Sequence, residues 1–278
     1  METCTFCKAE SKLVWKEKEY RVYCCRLCGS ASLKPVPANI HSVYNELYFR
    51  RWYLSTIHSR RRYLKQLFSS LRRCLPAGRK LLDVGCGVGI FLEIARDEGW
   101  EAIGVEISPF ATNWCRQLGF TVIHAPLTAA NLPSASFDLV TLWDVLAHVP
   151  EAPAYLETVR RLLKPGGAVL IKTPSHPAGL FRLARVFSFT GKSRSLLHIP
   201  AQIHHFNPSS LMKILLAANF HRIKILKVRE HPAAKISAKS FPLSSFSFLT
   251  KRWTTSRFWW PSLVAIGFVS DDGKNLGK

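Results

Sequence analysis

Short apolar runs and one stretch of helical periodicity alternate in the middle of the chain. Residues 81–84 form an apolar run broken by a single acid, and residues 102–105 form a second run of the same length. Such runs are typical of strands buried on both faces of a parallel sheet. Between them, the apolar residues of segment 91–95 recur at helical spacing after a glycine-rich turn. The pattern predicts a strand–turn–helix–strand unit, an architecture that holds nucleotide-like ligands.

The turn of this unit has the sequence D-x-G-x-G-x-G, with Asp83 ahead of Gly85, Gly87 and Gly89. Glycine allows the backbone to come close to a ligand where a Cβ would collide. A dinucleotide site has the spacing G-x-G-x-x-G, which admits a pyrophosphate to the helix N-terminus. The carboxylate of Asp83 would repel a pyrophosphate, but it favours a ligand that carries an ammonium group.

A second acid, Glu106, ends the second predicted strand. Its carboxylate can accept both hydrogen bonds of a ribose diol. S-adenosylmethionine (SAM) has an ammonium group and a ribose but no phosphate, so the two acids together indicate a SAM site. The alternative is a glycine turn that only packs the helix on the strand. The predicted cofactor-binding residues are Asp83, Gly85, Cys86, Gly87, Gly89, Glu106, Ile107 and Asp144.

Residues 81–107 resemble motif I and the acidic loop of class I SAM-dependent methyltransferases, and the resemblance extends over nearly the whole chain. Residues 137–150 resemble the fourth strand of that family and the loop after it, and residues 162–175 resemble its fifth strand. Residues 204–220 resemble a subgroup that carries an N-terminal zinc ribbon. The resemblance also implies that residues 125–132 contact the adenine of the cofactor.

This resemblance implies an α/β fold, a Rossmann-like sheet of seven strands with helices on both faces. The expected sixth and seventh strands are residues 221–229 and 263–269, and the seventh is antiparallel in this family. The expected domains are a zinc ribbon at 1–35, a helical connecting or lid segment at 36–78, and a methyltransferase domain at 79–278 that contains an aromatic and basic insertion at 235–260.

The connecting segment is predicted to contain one amphipathic helix over residues 51–75. Six basic residues lie between Arg60 and Arg73 without an acid, which indicates either a polyanion-binding patch or an ordinary solvated face. Tyr44 and Tyr48 precede the helix at a spacing of four. Similar methyltransferases place such a segment over the ligand mouth, although plain packing on one helix face would produce the same spacing.

Four cysteines near the N-terminus have the spacing of two metal knuckles. Cys4 and Cys7 are separated by two residues, and 17 residues later Cys25 and Cys28 repeat that spacing. Four thiolates in this pattern predict one tetrahedral Zn²⁺, and a site with four protein ligands is structural. The alternative is a pair of reduced, metal-free turns. Residues 13–23 alternate as a small hairpin would, and we expect the ribbon to have a hydrophobic core separate from that of the sheet.

The remaining cysteines are assigned differently. Cys24 is a possible alternative ligand, but its spacing to Cys28 is wrong for a knuckle. Cys74, Cys86 and Cys115 are singletons and are predicted to be core residues. Because the segment METCTFCK does not read as a secretory leader, we expect a cytoplasmic protein with reduced thiols.

Candidate residues for chemistry lie in loops at the carboxyl ends of the predicted strands, where open α/β sheets place ligands. Methyl transfer needs a general base only if the acceptor is protonated at neutral pH. We predict His148 as the first candidate and His205 as the second, because histidine titrates in the right range. Histidines that only bond to backbone are the alternative. Related enzymes often have Glu before this histidine, whereas this chain has Ala147.

The formal net charge of +21 is unevenly distributed. Residues 1–78 carry 15 Lys and Arg against 5 Asp and Glu, and residues 176–278 carry 16 against 3, whereas residues 79–175 carry 8 against 10. Basic flanks attract polyanions such as nucleic acid, anionic lipid or phosphate-linked sugars. The insertion combines Trp253, Trp259 and Trp260 with basic residues, which suits an acceptor lid or a bilayer interface.

The sequence therefore predicts a SAM-dependent methyltransferase with a structural Zn²⁺. Its expected acceptor is small, saccharide-linked or lipid-linked and anionic, and peripheral contact with an anionic membrane is part of the prediction. The nearest resemblance includes sugar C-methyltransferases with a similar cysteine ribbon. The second hypothesis is an RNA methyltransferase that uses the ribbon and the basic flanks to bind RNA. The third is a non-catalytic SAM-binding protein.

Overall fold

The computed structural model describes residues 2–188, 193–229 and 261–270, and two sheets organise these ranges. The strands are β1 (Glu2–Thr3), β2 (Glu10–Glu17), β3 (Tyr20–Cys25), β4 (Ala31–Lys34), β5 (Lys80–Val84), β6 (Glu101–Glu106), β7 (Val122–His124), β8 (Phe137–Trp143), β9 (Leu163–Pro174), β10 (His204–His205), β11 (His221–Val228) and β12 (Ser262–Phe268). The predicted insertion at 235–260, with its three tryptophans, lies outside the described residues.

Helices connect these strands. The α-helices are α1 (Glu46–Tyr48), α2 (Ile57–Leu71), α3 (Ile90–Asp97), α4 (Pro109–Gln117), α5 (Ala152–Leu162), α6 (Ala178–Val186), α7 (Ser193–Leu196) and α8 (Pro208–Ala217). Shorter turns of 3₁₀ or π geometry are Ile40–Val43, Phe49–Tyr53, Leu54–Thr56, Arg72–Cys74, Leu127–Ala129 and Leu146–His148. In the described ranges, every helix is too short or too polar to span a bilayer.

The larger sheet has seven strands in the order β11-β12-β9-β8-β5-β6-β7, which confirms the predicted Rossmann-like sheet. The pairs among β9, β8, β5, β6 and β7 are parallel, and β12 is antiparallel to both β9 and β11. Both predicted C-terminal strands are therefore present. The carboxyl ends of β5, β6, β8 and β9 lie at one edge of the sheet, where the candidate residues follow each strand.

Helices cover both faces of this sheet, because its central strands are apolar on both sides. On one face, Val140 and Leu142 of β8 pack in a cluster that also contains Val159 of α5 and Ile214 of α8. On the other face, Leu139 packs in a cluster with residues of α2 and α3. The two hydrophobic clusters hold the sheet between two layers of helices. The carboxyl ends of the strands are therefore followed by loops that the helices do not cover.

The predicted helix over residues 51–75 is interrupted near its start. A π turn at Phe49–Tyr53 and a 3₁₀ turn at Leu54–Thr56 precede α2. The hydroxyl of Ser55 donates to the carbonyl of Arg51, and the hydroxyl of Thr56 donates to the carbonyl of Trp52 at 2.8 Å. Such back-bonding bends helices. Because of this interruption, the residues before α2 do not continue along its axis but lie against the glycine turn.

The smaller sheet has the order β1-β2-β3-β4-β10, so the N-terminal ribbon pairs with a strand from the distant region near residue 204. The predicted hairpin at 13–23 is present as β2 and β3. The core of the ribbon is separate from the two clusters of the larger sheet, as expected, but the ribbon does not form it alone. Trp15 and Leu33 of the ribbon share one hydrophobic cluster with Leu180 and Phe181 of α6, because β2 and α6 pack on each other.

Polar contacts reinforce this docking. Trp15 Nε1 donates to Ser193 Oγ at 2.9 Å, and the Ser193 hydroxyl donates to the carboxylate of Glu17. Arg194 Nε lies 3.0 Å from the other oxygen of the same carboxylate. Glu17 is a buried acid, and a buried charge is stable only when it is paired and hydrogen-bonded. The ribbon is therefore attached to α7 by a specific polar network as well as by apolar packing.

Candidate functional site

The glycine turn follows β5 directly, and its three glycines have positive φ. Gly85 has a φ of 67°, and a Cβ there would lie 2.6 Å from Cγ2 of Val145 in the loop after β8. Gly87 has a φ of 53°, and its amide donates to Glu106 at 2.8 Å. Residues other than glycine are strained at these φ values. The turn therefore holds its backbone close to the loop after β8 and to the loop after β6.

Glu106 ends β6, and its carboxylate is held by three backbone amides. Oε2 accepts from Gly87 at 2.8 Å, and Oε1 accepts from Ile107 at 2.8 Å and from Ser108 at 2.9 Å. The residue is only 5% exposed. Burial raises the pKa of this carboxyl, while the three amides and the nearby His124 lower it. The hydrogen bonds join the glycine turn to the loop after β6. They also fix the orientation of the carboxylate at the carboxyl edge of the sheet.

Asp83 lies beneath the turn and is 2% exposed. Thr141 Oγ1 on β8 donates to its Oδ1 at 2.7 Å. Burial raises the pKa of Asp83 to about 8, although the Thr141 hydrogen bond lowers it. Cys86 is also buried and packs with Leu92 and Cys115, so only its backbone can face a ligand. Its burial and that of Cys115 confirm the prediction that these two thiols are core residues.

Aromatic side chains of the connecting segment cover the glycine turn. A Cβ on Gly87 would lie 3.4 Å from Phe49 Cε1 and 3.9 Å from Tyr53 Cε1. The ring of Tyr48 packs 5.7 Å from that of Tyr53 and 5.3 Å from that of Tyr44. Burial raises the pKa of all three tyrosines, so their hydroxyls stay protonated and can donate. Sequence reasoning singled out Tyr44 and Tyr48 but missed Phe49 and Tyr53.

An ion pair that the sequence did not reveal lies at the ends of β8 and β9. Asp144 has a positive φ of 58°, and its carboxylate oxygens lie 2.7 and 2.9 Å from Lys172 Nζ. Lys172 is 2% exposed and follows the apolar run 168–171 within β9. A buried ammonium needs a partner because removing it from water is costly. The one available signal was a lysine directly after the apolar run of β9.

The two predicted histidines occupy different environments. His148 is partly exposed, and its Nδ1 lies 2.8 Å from the carbonyl oxygen of Ala201. A carbonyl only accepts, so Nδ1 carries the proton and Nε2 presents a lone pair. Burial lowers the pKa of His148, and nearby Asp144 opposes that effect. His205 is 1% exposed, with Nε2 bonded to the carbonyl of Leu197 at 3.1 Å.

His205 also lies against a further histidine. Its ring centroid is 4.5 Å from that of His176, which follows β9. The Nδ1 atoms of both rings are buried and lack hydrogen-bond partners among the described residues. Burial lowers the pKa of His205 to about 3 and holds that of His176 well below its ordinary value. Both rings are therefore neutral in the folded protein, and His148 is the more accessible candidate base.

The four predicted ligand cysteines converge. Their sulfur atoms all lie within 4.8 Å of one another. The distances are 3.4 Å between Cys7 and Cys25 and 3.6 Å between Cys4 and Cys28. Four sulfurs at about 2.3 Å from a tetrahedral Zn²⁺ would have similar separations. The amides of Leu27 and Cys28 point at Cys25 Sγ, at 3.3 and 3.4 Å. Such a donor set fits a structural Zn²⁺.

Comparison with known proteins defines the class. Residues 56–225, more than half of the chain, match the family described as "Methyltransferase domain", so the chain belongs to that family. A SAM-dependent methyltransferase from Archaeoglobus fulgidus superposes with a TM-score of 0.52, over 77% of this chain and 98% of that one, at 23% identity. The fold is thus that of a SAM-dependent methyltransferase, and the family supports SAM as the cofactor.

Curated relatives are more specific in name. The chain is 35% identical over 148 residues to a ubiquinone biosynthesis O-methyltransferase of Methylococcus capsulatus. The aligned residues cover 49% of this chain and 61% of that protein. It is 30% identical to the protein of the same name from Azoarcus sp., over 60% of this chain and 75% of the relative. The chain therefore spans between about three-fifths and three-quarters of the length of these two relatives.

We predict close to one zinc per chain in purified, reduced protein, measured by elemental analysis. Cys25→Ser should lose most of this zinc, because it removes a ligand and the sulfur that accepts from the Leu27 and Cys28 amides. Cys24→Ser is the matched control, since Cys24 is adjacent but outside the four-sulfur group. A wild-type protein that neither carries nor takes up zinc would contradict the assignment, as would equal zinc loss in both variants.

We also predict that the free energy of unfolding falls as the pH is lowered below about 6.5, which is the pKa of histidine in an unfolded chain. The folded pKa of His205 is about 3, so below pH 6.5 the unfolded chain binds a proton that the folded chain excludes. This one group contributes a slope of up to about 1.4 kcal/mol per pH unit. His205→Phe should make the slope of unfolding free energy against pH shallower by about one proton, measured by urea titration. Parallel slopes would refute it.

Proposed function

We propose that this protein transfers the methyl group of SAM to a hydroxyl of a small lipid-linked or saccharide-linked acceptor. The observation that carries the proposal is the Glu106 carboxylate, oriented by three amides beside the glycine turn. It supports a ribose diol held between β5 and β6. The Asp83 carboxyl below the turn supports placing the ammonium group of SAM on that side of the site. Methyl transfer is an in-line displacement, in which the enzyme supplies mainly proximity and orientation.

The acceptor is assigned to the loops after β8 and β9. Asp144 and His148 follow β8, and His176 follows β9, so one edge of the sheet carries all three. The names of the curated relatives contain O-methyltransferase, which supports oxygen as the attacked atom. A hydroxyl must lose its proton during transfer, and His148 Nε2 is suited to accept it. At the position before His148, where related enzymes often have Glu, this chain has the buried Ala147, which provides no carboxylate.

Uncompensated positive charge supports contact with an anionic membrane, although less of this charge is available than the sequence suggested. Arg61 pairs with Glu93 and Asp97 of α3, at 3.1 and 2.9 Å. Arg62, Lys65 and Arg73 are exposed and form no ion pair within the described ranges. They are spaced to share one side of the α2 region. Because Arg73 shortly precedes the start of β5, this small basic surface extends away from the acceptor loops, and it suits the surface of an anionic membrane, in a cytoplasmic protein.

The decisive experiment is incubation of the protein with methyl-labelled SAM and fractionated cell extract. Label in the lipid or the saccharide fraction supports the proposal. Label in RNA would replace it with an RNA methyltransferase that binds through its basic flanks. If SAM binds and no fraction takes up label, the protein is a non-catalytic SAM-binding protein. A heat-denatured sample of the protein processed in parallel separates enzymatic label from chemical methylation.

Glu106→Ala should weaken SAM binding, measured by calorimetry. The substitution removes two charge-assisted hydrogen bonds to the diol, each contributing about 1.5–3 kcal/mol, so the affinity should fall by more than tenfold. It also leaves the Gly87 amide without its acceptor. Glu101→Ala is the control, because Glu101 is exposed at the opposite end of β6. Unchanged affinity in Glu106→Ala would exclude the proposed diol contact.

His148→Gln should lower kcat by about 10²–10⁴-fold, the usual contribution of a general base, and leave SAM affinity unchanged. Burial lowers the pKa of His148, so the acidic limb of the wild-type pH–rate profile should lie below pH 6.5 and disappear in the variant. His221→Gln, on the exposed start of β11, is the control. A variant with wild-type rate and pH profile would show that His148 is not the base.

A further inference from the structure

We infer that the four-cysteine ribbon is a positioning element for the acceptor-binding side of the site, and that it acts through Ile203. The inference rests on the proposed function, because it takes His148 as the residue to be positioned. Two segments are central: the His148 loop, residues 145–149, and the linking segment, residues 201–205. The linking segment lies between the ribbon and the His148 loop and is hydrogen-bonded to both.

On the ribbon side, the linking segment forms the last strand of the smaller sheet. β10 pairs with β4 so that His204 lies opposite Ser32 and His205 lies opposite Ala31. The amide of Leu33 donates to the carbonyl of Ile203 at 2.8 Å. Ser32 Oγ lies 3.0 Å from His204 Nδ1. The backbone of the ribbon therefore determines where the linking segment lies.

On the other side, the same segment holds the His148 loop. The amide of Ile203 donates to the carbonyl of Ala147 at 2.8 Å, and Nδ1 of His148 donates to the carbonyl of Ala201 at 2.8 Å. Ile203 thus uses its carbonyl for the ribbon and its amide for the His148 loop. Its side chain is 1% exposed, so both bonds are shielded from water. The tautomer of His148 depends on the second contact, because Ala201 fixes the proton on Nδ1.

The metal knuckles contact this region directly. Phe6, between Cys4 and Cys7, packs 5.0 Å from the ring of His204 and 5.7 Å from that of Phe206. Directly after the second knuckle, the carbonyl of Gly29 accepts from Asn207 Nδ2 at 3.3 Å. These contacts come from residues whose positions are set by the four sulfurs. Loss of the metal would therefore move the ribbon where it touches the linking segment.

Local forces alone do not hold the linking segment. β10 has only two residues, and a strand of that length has little stability without a paired neighbour. If β4 withdrew, the carbonyl of Ile203 and the amide of Leu33 would lose each other as hydrogen-bond partners, and a buried backbone group left unpaired is unfavourable. The SAM side is different, because the parallel strands β5 and β6 position the glycine turn and Glu106.

The test compares full-length protein before and after removal of the metal by a chelator. Hydrogen exchange measured by mass spectrometry should show at least tenfold faster exchange at Ile203 and in the His148 loop after removal. Nitrogen NMR of labelled histidines should show loss of the protected His148 Nδ1–H signal. Amides of β5 and β6 should keep their protection, and calorimetry on the same sample should show nearly unchanged SAM affinity.

Unchanged exchange at Ile203 and an unchanged His148 signal in metal-free protein would overturn the inference. A metal-loaded wild-type protein that does not bind SAM would instead overturn the proposed function. If metal removal unfolds the whole chain, a pair of metal-loaded variants decides. Ser32→Ala should accelerate exchange at Ile203 and broaden the His148 signal, and Ser32→Thr, which keeps the hydroxyl, should restore both. Identical behaviour of the two variants and the wild type would refute the positioning role.

Discussion

The carboxylate of Glu106 is the constraint on which the cofactor side of this protein depends. Burying a carboxylate is costly unless hydrogen bonds replace its water, and here three backbone amides do so. One of them belongs to the glycine turn, and two belong to the loop after β6. The same interaction therefore stabilises the buried acid and fixes the distance between the two loops that a nucleoside would bridge. The positive φ of Gly87 is needed to direct its amide there.

Other buried polar groups at the same edge of the sheet follow this principle. Asp83 is hydrogen-bonded to Thr141, Asp144 is paired with Lys172, and His148 is bonded to the carbonyl of Ala201. Each pair joins residues that are far apart in sequence. Burial raises the pKa of the Asp83 carboxyl and lowers the pKa of the His148 imidazole. A concentration of displaced pKa values in a cleft is typical of functional sites.

The ribbon adds a third layer to this arrangement. Its apolar cluster includes residues of α6, and its sheet ends in β10, so it is part of the half of the molecule to which we assign the acceptor. Small domains rarely bury enough apolar surface to be stable alone. Here a metal would order the knuckles, and the knuckles would order a two-residue strand beside the His148 loop. In this proposal, the parallel sheet positions the cofactor residues and the ribbon positions the acceptor residues.

Much of the fold and of the SAM site could be predicted from the sequence, because the signals are local. The apolar runs of β5 and β6, the glycine spacing and the acid at the end of β6 lie within 27 consecutive residues, 81–107. The cysteine knuckles are equally local, and their four sulfurs do converge. The assignment of the later strands came from resemblance to a family and agrees with β11 and β12. Residues 235–260 were assigned by composition, and they lie outside the described ranges.

Tertiary structure alone decided the rest. The Asp144–Lys172 pair requires the parallel register of β8 and β9, which places Trp143 opposite Lys172. The interrupted helix before α2 depends on side-chain hydroxyls that bond to backbone, and the shared ribbon core depends on packing between residues some 165 positions apart, Trp15 and Leu180. The double role of Ile203 has no sequence signal, because any residue provides the same amide and carbonyl. Periodicity and spacing report what neighbours along the chain do, whereas these features arise from segments that meet only after folding.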